Sequence, residues 1–335
     1  MSLLEIKNLT TSFATEQGKV QAVRGISLSV DQGEIVGIVG ESGSGKSQSM
    51  YSVMGLLSEN GTVEDGSILF DGQEISPARF EGTAAAHEKL MEGIRGNSMA
   101  MIFQDPMSFL NPVLTIEKQL VEPLRNHKKM SAAELHQKAV ELLTQVGIPS
   151  PEERLKQYPH QLSGGMRQRV IIAIALACDP KLIIADEPTT ALDVTIQAKI
   201  IELIKELKEK TGSGVILITH DLGVVASACS RVYIMYGGKI VETGLSDEIF
   251  YQPAHPYTSG LLACVNNPEE DNELRPIPGS PPDLIKPPVG CPFVDRCDKA
   301  MKICKLKMPP ERNLSDTHVV RCWLTEKPAF EKEGE

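Results

Sequence analysis

The apolar residues of this chain fall into two kinds of run, which predict two kinds of element. Short, nearly uninterrupted apolar runs occur at residues 35–39, 99–103, 182–185 and 215–219. Such runs are typical of parallel strands that are buried on both faces. Residues 196–207 instead carry apolar side chains every three or four positions, which predicts an amphipathic helix. Alternation of the two patterns predicts an α/β fold with a parallel sheet and crossover helices.

Three further segments extend this picture. Residues 3–30 contain short alternating stretches and residues 66–72 a strand between glycines, so we expect a small antiparallel β lobe. From about 105 to 180 the period becomes helical, with Ser131 and Glu134 spaced as a capping box. This block predicts a helical insertion between two strands of the core. Residues 232–242 predict a hairpin that turns at two glycines.

Residues 40–47 match the phosphate-loop pattern G-x-x-x-x-G-K-[ST] and follow the predicted strand 35–39. A strand, a glycine loop and a helix start together present backbone N–H groups to an anion. Lys46 adds a cation for the β- and γ-phosphates, and the Ser47 hydroxyl is a candidate Mg²⁺ ligand. The alternative is a plain Gly/Ser turn, and the flanking elements count against it. The predicted nucleotide-binding residues of the loop are Gly40, Ser42, Gly43, Ser44, Gly45, Lys46 and Ser47.

Two carboxylates follow the predicted strand 182–185 directly. Asp186 at the end of a buried parallel strand is placed to hold Mg²⁺ beside the phosphate loop. Glu187 can polarise a water for in-line attack on the γ-phosphate, a role in which a general base contributes about 10²–10⁴-fold in rate. The alternative is a solvated acidic pair at a turn, and the presence of the phosphate loop favours the catalytic interpretation.

Charge and hydropathy limit the remaining function classes. Lys and Arg number 34 against 44 Asp and Glu, for a formal net charge of −10, which counts against nucleic-acid binding. The N-terminus lacks a charged stretch followed by an apolar stretch, so we expect no signal peptide. The longest apolar run, 170–178, is about half of the ~20 residues that span a bilayer. We therefore expect a soluble protein that meets a membrane only through a partner.

A second glycine-rich helix start lies inside the predicted helical insertion. Ser163, Gly164 and Gly165 stand at the start of a predicted helix, where open N–H groups favour an anion. The sequence 162–166, Leu-Ser-Gly-Gly-Met, resembles the LSGGQ signature of ATP-binding-cassette (ABC) ATPases. Met166 departs from the usual Gln, and its thioether cannot donate the hydrogen bonds that an amide makes.

The resemblance implies roles for residues that patterns alone leave open. Phe13, placed on a loop after the first strand, resembles the aromatic that stacks on adenine. Gln104 matches a glutamine that senses Mg²⁺ or the attacking water, and His220 resembles the switch histidine. Asp193 belongs to a segment similar to the D-loop. Residues 163–165 match the signature that binds the γ-phosphate of ATP held by the opposite subunit.

The chain is most similar to one branch of that family, the ATPases of oligopeptide and dipeptide permeases. Residues 103–106, 110–112, 158–166, 185–195 and 255–258 carry this resemblance, in which Met166 is ordinary. It implies import of peptides, or in related members nickel or other solutes, at the cytoplasmic face of the cell membrane. The implied partners are two integral-membrane subunits, a solute-binding protein and a second ATPase, either a paralogue or a copy.

Four of the seven cysteines cluster near the C-terminus: Cys291, Cys297, Cys304 and Cys322. Seven of the 17 residues 276–292 are proline, which predicts an extended linker before the cluster. Four thiolates suit Zn²⁺ or a [4Fe–4S] cluster, and the spacing alone selects neither. Members of the resembled branch carry an iron–sulfur cluster in this tail, so the resemblance implies iron, with zinc or free thiols as alternatives. Its expected role is structural.

Together these observations predict a P-loop NTPase of the ABC type with a β lobe, a helical insertion and a cysteine-bearing extension. We expect an ABC nucleotide-binding domain at 1–250 and the extension at 251–335. Two such ATPases would close head to tail over ATP and pass the motion to membrane subunits. The rival class is a soluble ABC ATPase acting in DNA repair or translation. One phosphate loop, no heptad run and a negative net charge count against it.

Overall fold

The computed structural model describes residues 2–104, 109–188, 194–264 and 277–325. Within them, the strands form a four-stranded sheet of order β2-β1-β4-β5 and an eight-stranded sheet of order β11-β12-β10-β9-β3-β8-β7-β6. The strand bounds are β1 Ser2–Thr15, β2 Gly18–Asp31, β3 Ile35–Val39, β4 Gly61–Phe70, β5 Gln73–Glu74, β6 Met99–Ile102, β7 Leu182–Asp186, β8 Gly214–Ile218, β9 Arg231–Tyr236, β10 Lys239–Leu245, β11 Arg312–Asn313 and β12 Val319–Val320.

The larger sheet has the predicted parallel centre. β6, β7, β8, β3 and β9 run parallel, and every residue of β3, β7 and β8 is buried. Burial on both faces explains why these strands are continuously apolar in sequence. The hairpin of β9 and β10 turns at Gly237 and Gly238, as predicted. At the carboxyl ends of β3 and β7 stand the phosphate loop and Asp186.

The smaller sheet is the expected antiparallel lobe, with longer strands than the sequence pattern predicts. β1 and β2 each contain 14 residues, and register shifts in their pairing break the alternation. Phe13 lies within β1, opposite Val20 and Gly61, so its predicted place on a loop is wrong. Because the register shifts interrupt the alternation of apolar and polar residues, that alternation does not indicate that the strand continues to Phe13.

Helices cover the parallel sheet and form the predicted helical block. Ser131 and Glu134 make both bonds of the capping box, and Gly147 has a φ of 71° just past that helix. Among the described residues, no helix combines the length and apolar character that crossing a bilayer requires. The helix bounds are α1 Lys46–Met54, α2 Ala84–Ile94, α3 Ile116–His127, α4 Ala132–Gln145, α5 Pro151–Leu155, α6 Gly164–Leu176, α7 Val194–Thr211, α8 Leu222–Ala228, α9 Ser246–Tyr251, α10 Pro256–Ala263 and α11 Lys302–Leu306.

The cysteine segment, defined here as residues 277–325, lies against the rest of the chain. Its strand β12 pairs with β10, so it extends the core sheet. The proline-rich stretch has no helix or strand at 277–292, as its prolines predict, but it is docked rather than free. The N–H of Gln21 donates to the Leu284 carbonyl at 2.8 Å, and Arg24 donates to the Pro288 carbonyl at 2.8 Å.

A buried carboxylate joins the cysteine segment to the core. The Glu242 side chain in β10 is fully buried and accepts a hydrogen bond from His318 Nε2 at 2.7 Å. It also accepts from the backbone N–H groups of Ala254 and His255, at 2.7 and 2.9 Å. A buried carboxylate is tolerated where such donors satisfy it. The sheet therefore crosses the predicted boundary at residue 250, and that division into domains stays a prediction.

Candidate functional site

The phosphate loop connects β3 to α1, and its backbone demands glycine at two positions. A Cβ at Gly40 would collide with the Met235 carbonyl oxygen, and one at Gly45 with the Ala22 carbonyl oxygen. Gly45 is also the N-cap of α1, with a φ of 101°. Only glycine combines this left-handed geometry with such close backbone packing. The loop conformation therefore follows from its glycines, and it places N–H groups at a helix start.

The two polar side chains that end the motif point into the loop and toward β7. Lys46 is 6% exposed, and its Nζ donates to the carbonyls of Gly40 and Glu41 at 2.7 and 2.9 Å. Burial lowers the pKa of Lys46, while Glu187 and Asp186 oppose that shift. The Lys46 ammonium group therefore has little contact with water, and two nearby carboxylates favour its charged form.

Ser47 and Asp186 form the candidate Mg²⁺ site. The Ser47 hydroxyl donates to Oδ1 of Asp186 at 2.9 Å, and Asp186 is fully buried. Burial raises the pKa of Asp186, and the Ser47 bond opposes that effect. Its other oxygen, Oδ2, makes no hydrogen bond of ordinary geometry to a described group, although the Tyr51 hydroxyl near the same carboxylate also lowers the pKa of Asp186. A buried carboxylate oxygen without a donor, beside a hydroxyl, is a donor set that fits a hard cation.

Glu187 lies between two of the other predicted residues. Gln104 Nε2 donates to its Oε2 at 2.9 Å, and His220 Nδ1 lies 3.4 Å from its Oε1. The backbone of Glu187 has a φ of 45°, and its N–H donates to the Ile218 carbonyl at 2.8 Å. A left-handed non-glycine residue stores strain, which is common at functional positions. The structure therefore brings Gln104, Glu187 and His220 together beside Asp186.

The second glycine-rich helix start lies on the helical block. Ser163 is the N-cap of α6, where its hydroxyl accepts the Met166 N–H, and Gly164 and Gly165 open the helix. Ser163 and Gly164 are exposed. No hydrogen bond joins 163–165 to the phosphate loop among the residues that the structure describes. This helix start is therefore open to solvent and, among the described residues, is not bonded to the phosphate loop of its own chain.

One residue that sequence reasoning missed connects these parts. Gln168 in the first turns of α6 is buried, and its Nε2 donates to the Pro188 carbonyl at 2.6 Å, next to Glu187. The available signal was a polar residue at a buried position of an otherwise apolar helix.

The Phe13 ring packs over Gly61 rather than standing on a loop. Asp193 and the D-loop segment lie outside the described residues, as do residues 105–108.

The four clustered cysteines line one cavity of about 10 Å³, together with His255 and Trp323. Cys304 accepts a hydrogen bond from the Met301 N–H at 3.4 Å, and Cys291, Cys297 and Cys322 accept from the N–H groups of Phe293, Lys299 and Leu324. Burial raises the pKa of Cys291 to about 12. N–H donors favour thiolates, whereas burial without a cation disfavours them.

The cysteines are not arranged as a metal centre in the described chain. No group of three or more His, Cys, Asp or Glu side chains there has the geometry to hold a metal ion. All four are free thiols. Convergence on one cavity and an N–H donor for each sulfur are the features that fit a thiolate-bound group. The expected iron or zinc centre stays a prediction.

Comparison with protein-family models finds two matches along the chain. Residues 23–190 match the ABC transporter model, and residues 241–304 match the model of the oligopeptide/dipeptide transporter C-terminal region. The dipeptide transport ATP-binding protein DppD of Bacillus subtilis is 53% identical over 98% of this chain and 96% of its own. The oligopeptide transport ATP-binding protein OppD of Escherichia coli is 49% identical over 92% of this chain and 90% of its own.

A solved structure supports the same assignment of the fold. A dimeric ATP-binding cassette in a post-hydrolysis state with ADP and Pi has a TM-score of 0.63 and 28% identity, covering 72% of this chain and 98% of that chain. The predicted fold class, an ABC-type P-loop core with a β lobe and a helical block, is therefore confirmed.

Proposed function

Because this chain belongs to the ABC transporter family, we propose that it is the ATP-hydrolysing subunit of an importer for dipeptides and oligopeptides. The names and full-length similarity of its relatives support the peptide class, and the match at 241–304 supports the same branch. The observation that carries the enzymatic part is Glu187, held between Gln104 and His220 beside the Ser47–Asp186 pair.

ATP hydrolysis by these residues is mainly positioning and charge neutralisation. The loop amides and Lys46 would hold the β- and γ-phosphates, with Phe13 against the adenine. Ser47 and Asp186, with Gln104, would hold Mg²⁺, which neutralises phosphate charge when bound. Glu187 would accept the proton of the attacking water, and His220 and Gln104 would orient its carboxylate.

The exposed signature at 163–165 supports a second part of the proposal. Its N–H groups would bind the γ-phosphate of ATP on a second ATPase subunit, and the partner's signature would complete this chain's site. Asp193 would contribute at the same interface. Two such interfaces make ATP occupancy favour the closed pair by mass action. The similarity to a dimeric ATP-binding cassette supports the pairing of two ATPase subunits.

The proposed partners follow from the same family. Two integral-membrane subunits would receive the closing motion through the helical block, and a solute-binding protein would deliver the peptide to them. The second ATPase is a paralogue or a copy of this chain. We place the protein at the cytoplasmic face of the membrane, attached through these subunits. Nucleic acid is not among the proposed partners, because the net charge of −10 opposes it.

For the cysteine cavity we propose a [4Fe–4S] cluster, with Zn²⁺ as the alternative, held by Cys291, Cys297, Cys304 and Cys322. The bound group would supply cross-linking of a segment with little apolar core. Metal analysis of the purified chain tests this proposal. Cys304→Ser should lower bound iron or zinc, whereas Cys264→Ser, at an exposed cysteine outside the cavity, should not. Equal metal in all three proteins, or none in the parent, contradicts it.

Glu187→Gln tests the hydrolytic mechanism. The amide keeps the size of the side chain and cannot accept the proton, so turnover should fall about 10²–10⁴-fold with ATP binding intact. Steady-state hydrolysis and equilibrium nucleotide binding measure the two effects separately. Turnover at the parent rate would show that Glu187 is not the base. Co-purification with integral-membrane subunits separates the importer from a soluble ABC ATPase of repair or translation.

A further inference from the structure

The phosphate loop is held from outside by residues that follow position 250. Glu41 is the second residue of the loop, and its carboxylate Oε2 accepts a hydrogen bond from Arg296 Nη1 at 2.7 Å. Its backbone N–H donates to the Tyr257 hydroxyl at 2.9 Å. Lys46 Nζ donates a hydrogen bond to the Glu41 carbonyl oxygen at 2.9 Å. Side chain, amide and carbonyl of one loop residue are therefore all engaged.

Arg296 is oriented before it reaches Glu41. Its Nε donates to the Pro278 carbonyl at 2.8 Å and its Nη2 to the Ile277 carbonyl at 3.0 Å. Nη1 also donates to the Tyr236 hydroxyl at 3.0 Å, and the side chain is only 7% exposed. A guanidinium fixed by three acceptors of its surroundings is a preset donor, because it cannot rotate without breaking those bonds.

Both contacts begin next to the cysteines. Arg296 directly precedes Cys297 in the chain. The Tyr257 N–H donates to His255 Nδ1 at 3.1 Å, so a neutral His255 ring carries its proton on Nε2, which lies 3.9 Å from Cys291 Sγ. Two separate routes thus lead from the cysteine cavity to the same loop residue.

We propose that Arg296 and Tyr257 are positioning residues for the phosphate loop. By fixing Glu41, they hold the loop amides in the arrangement that receives phosphate, so that ATP affinity depends on the docked cysteine segment. Preorganised donors bind more tightly because less freedom is lost on binding. The inference rests on the proposed ATPase function and adds a determinant that the phosphate-loop pattern does not contain.

Glu41→Gln removes the ion pair with Arg296, together with the weaker charge interaction between Glu41 and Lys46. It removes the charge, keeps the size, and leaves the bonds of Arg296 to residues 277 and 278 in place. In the full-length chain, the dissociation constant for a fluorescent Mg-ATP analogue should rise about fivefold or more. The KM for ATP should rise with it, by a larger factor than any change in turnover at saturating ATP. Tyr257→Phe should weaken binding in the same direction.

The matched control is Glu34→Gln. Glu34 also pairs with an arginine, Arg231, at 2.8 Å, and stands at the opposite end of β3 from the loop. A merely structural role for such pairs predicts equal effects in both variants. Positioning predicts weaker nucleotide binding in Glu41→Gln alone, together with faster hydrogen exchange of amides 41–47.

Lys46→Ala separates the two levels of the proposal. Loss of binding in Lys46→Ala, with parent affinity in Glu41→Gln, would overturn the positioning role and leave the proposed function standing. Parent affinity in Lys46→Ala would overturn the proposed function itself. Thermal melting without nucleotide identifies a misfolded variant. If Glu41→Gln is misfolded, Arg296→Lys takes its place in the comparison of nucleotide affinity with Glu34→Gln, because lysine keeps the charge but lacks the planar guanidinium.

Discussion

The core sheet and the cysteine segment of this chain hold their structure by different means. β7 and β8 bury every residue, and each Å² of apolar surface removed from water stabilises by about 25 cal/mol. In the described cysteine segment the regular elements contain two to five residues. It is held by hydrogen bonds to backbone carbonyls, by one buried carboxylate, and by Phe293 and Val294, which are buried in the main hydrophobic core. A segment too small for its own core obtains stability from polar bonds and apolar contacts with a neighbour.

Removing the buried carboxylate that joins the cysteine segment to the core should have the largest effect on stability. Glu242→Ala leaves His318 and two backbone N–H groups without their buried acceptor, and the free energy of unfolding should fall by about 3–5 kcal/mol. Trp323 is the single tryptophan of the chain and lies in the cysteine segment, so its fluorescence in a urea titration follows this region. Glu311→Ala, which removes an exposed pair with Arg321, should change the midpoint little. Equal midpoints in the two variants would contradict the buried joint.

Removing apolar volume should act mainly on the core. Ile216 in β8 is fully buried, and Ile216→Ala should cost about 2–5 kcal/mol through lost transfer energy and a cavity. Far-ultraviolet circular dichroism in urea measures it. Leu306→Ala in the cysteine segment removes a side chain that is 75% exposed and should stay within about 0.5 kcal/mol. A comparable loss at Leu306 would mean that exposed apolar positions of the segment also contribute to stability.

Releasing one docking bond should have the smallest effect. Arg24→Met removes the donor to the Pro288 carbonyl and a second donor to the Gly237 carbonyl, at a net cost of about 1 kcal/mol for each bond. The expected result is faster proteolysis within residues 277–292 under native conditions. Arg79→Met, at an exposed pair with Asp65, serves as the control. If both variants are cut at the parent rate, the bond to Pro288 does not hold the segment.

The sequence predicts those parts of the fold that local pattern controls. Continuous apolar runs identify the parallel strands, and the capping box at Ser131 identifies the start of α4. The predicted loop position of Phe13 is wrong because register shifts in β1 interrupt the alternation. β11 and β12 contain two residues each, too few to show a period, and their pairing depends on β10, far away in sequence.

The candidate site divides in the same way. The glycine loop, Asp186 and Glu187 are local motifs, and their convergence follows from the order of parallel strands. The contact of Arg296 with Glu41 joins residues 255 positions apart, and no spacing rule connects them. Tyr257 lies inside the segment 255–258 that resembles the permease ATPases, yet nothing in that segment indicates that its hydroxyl reaches the loop. Such contacts become visible only when the chain is folded.

The left-handed backbone of Glu187 has a consequence for protein engineering. At a φ of 45°, glycine or asparagine would be less strained than glutamate. A search for thermostable variants that screens folding alone should therefore select Glu187→Gly or Glu187→Asn, and would discard the carboxylate in exchange for rigidity. A glutamate in this strained backbone conformation indicates that the residue serves catalysis rather than folding stability.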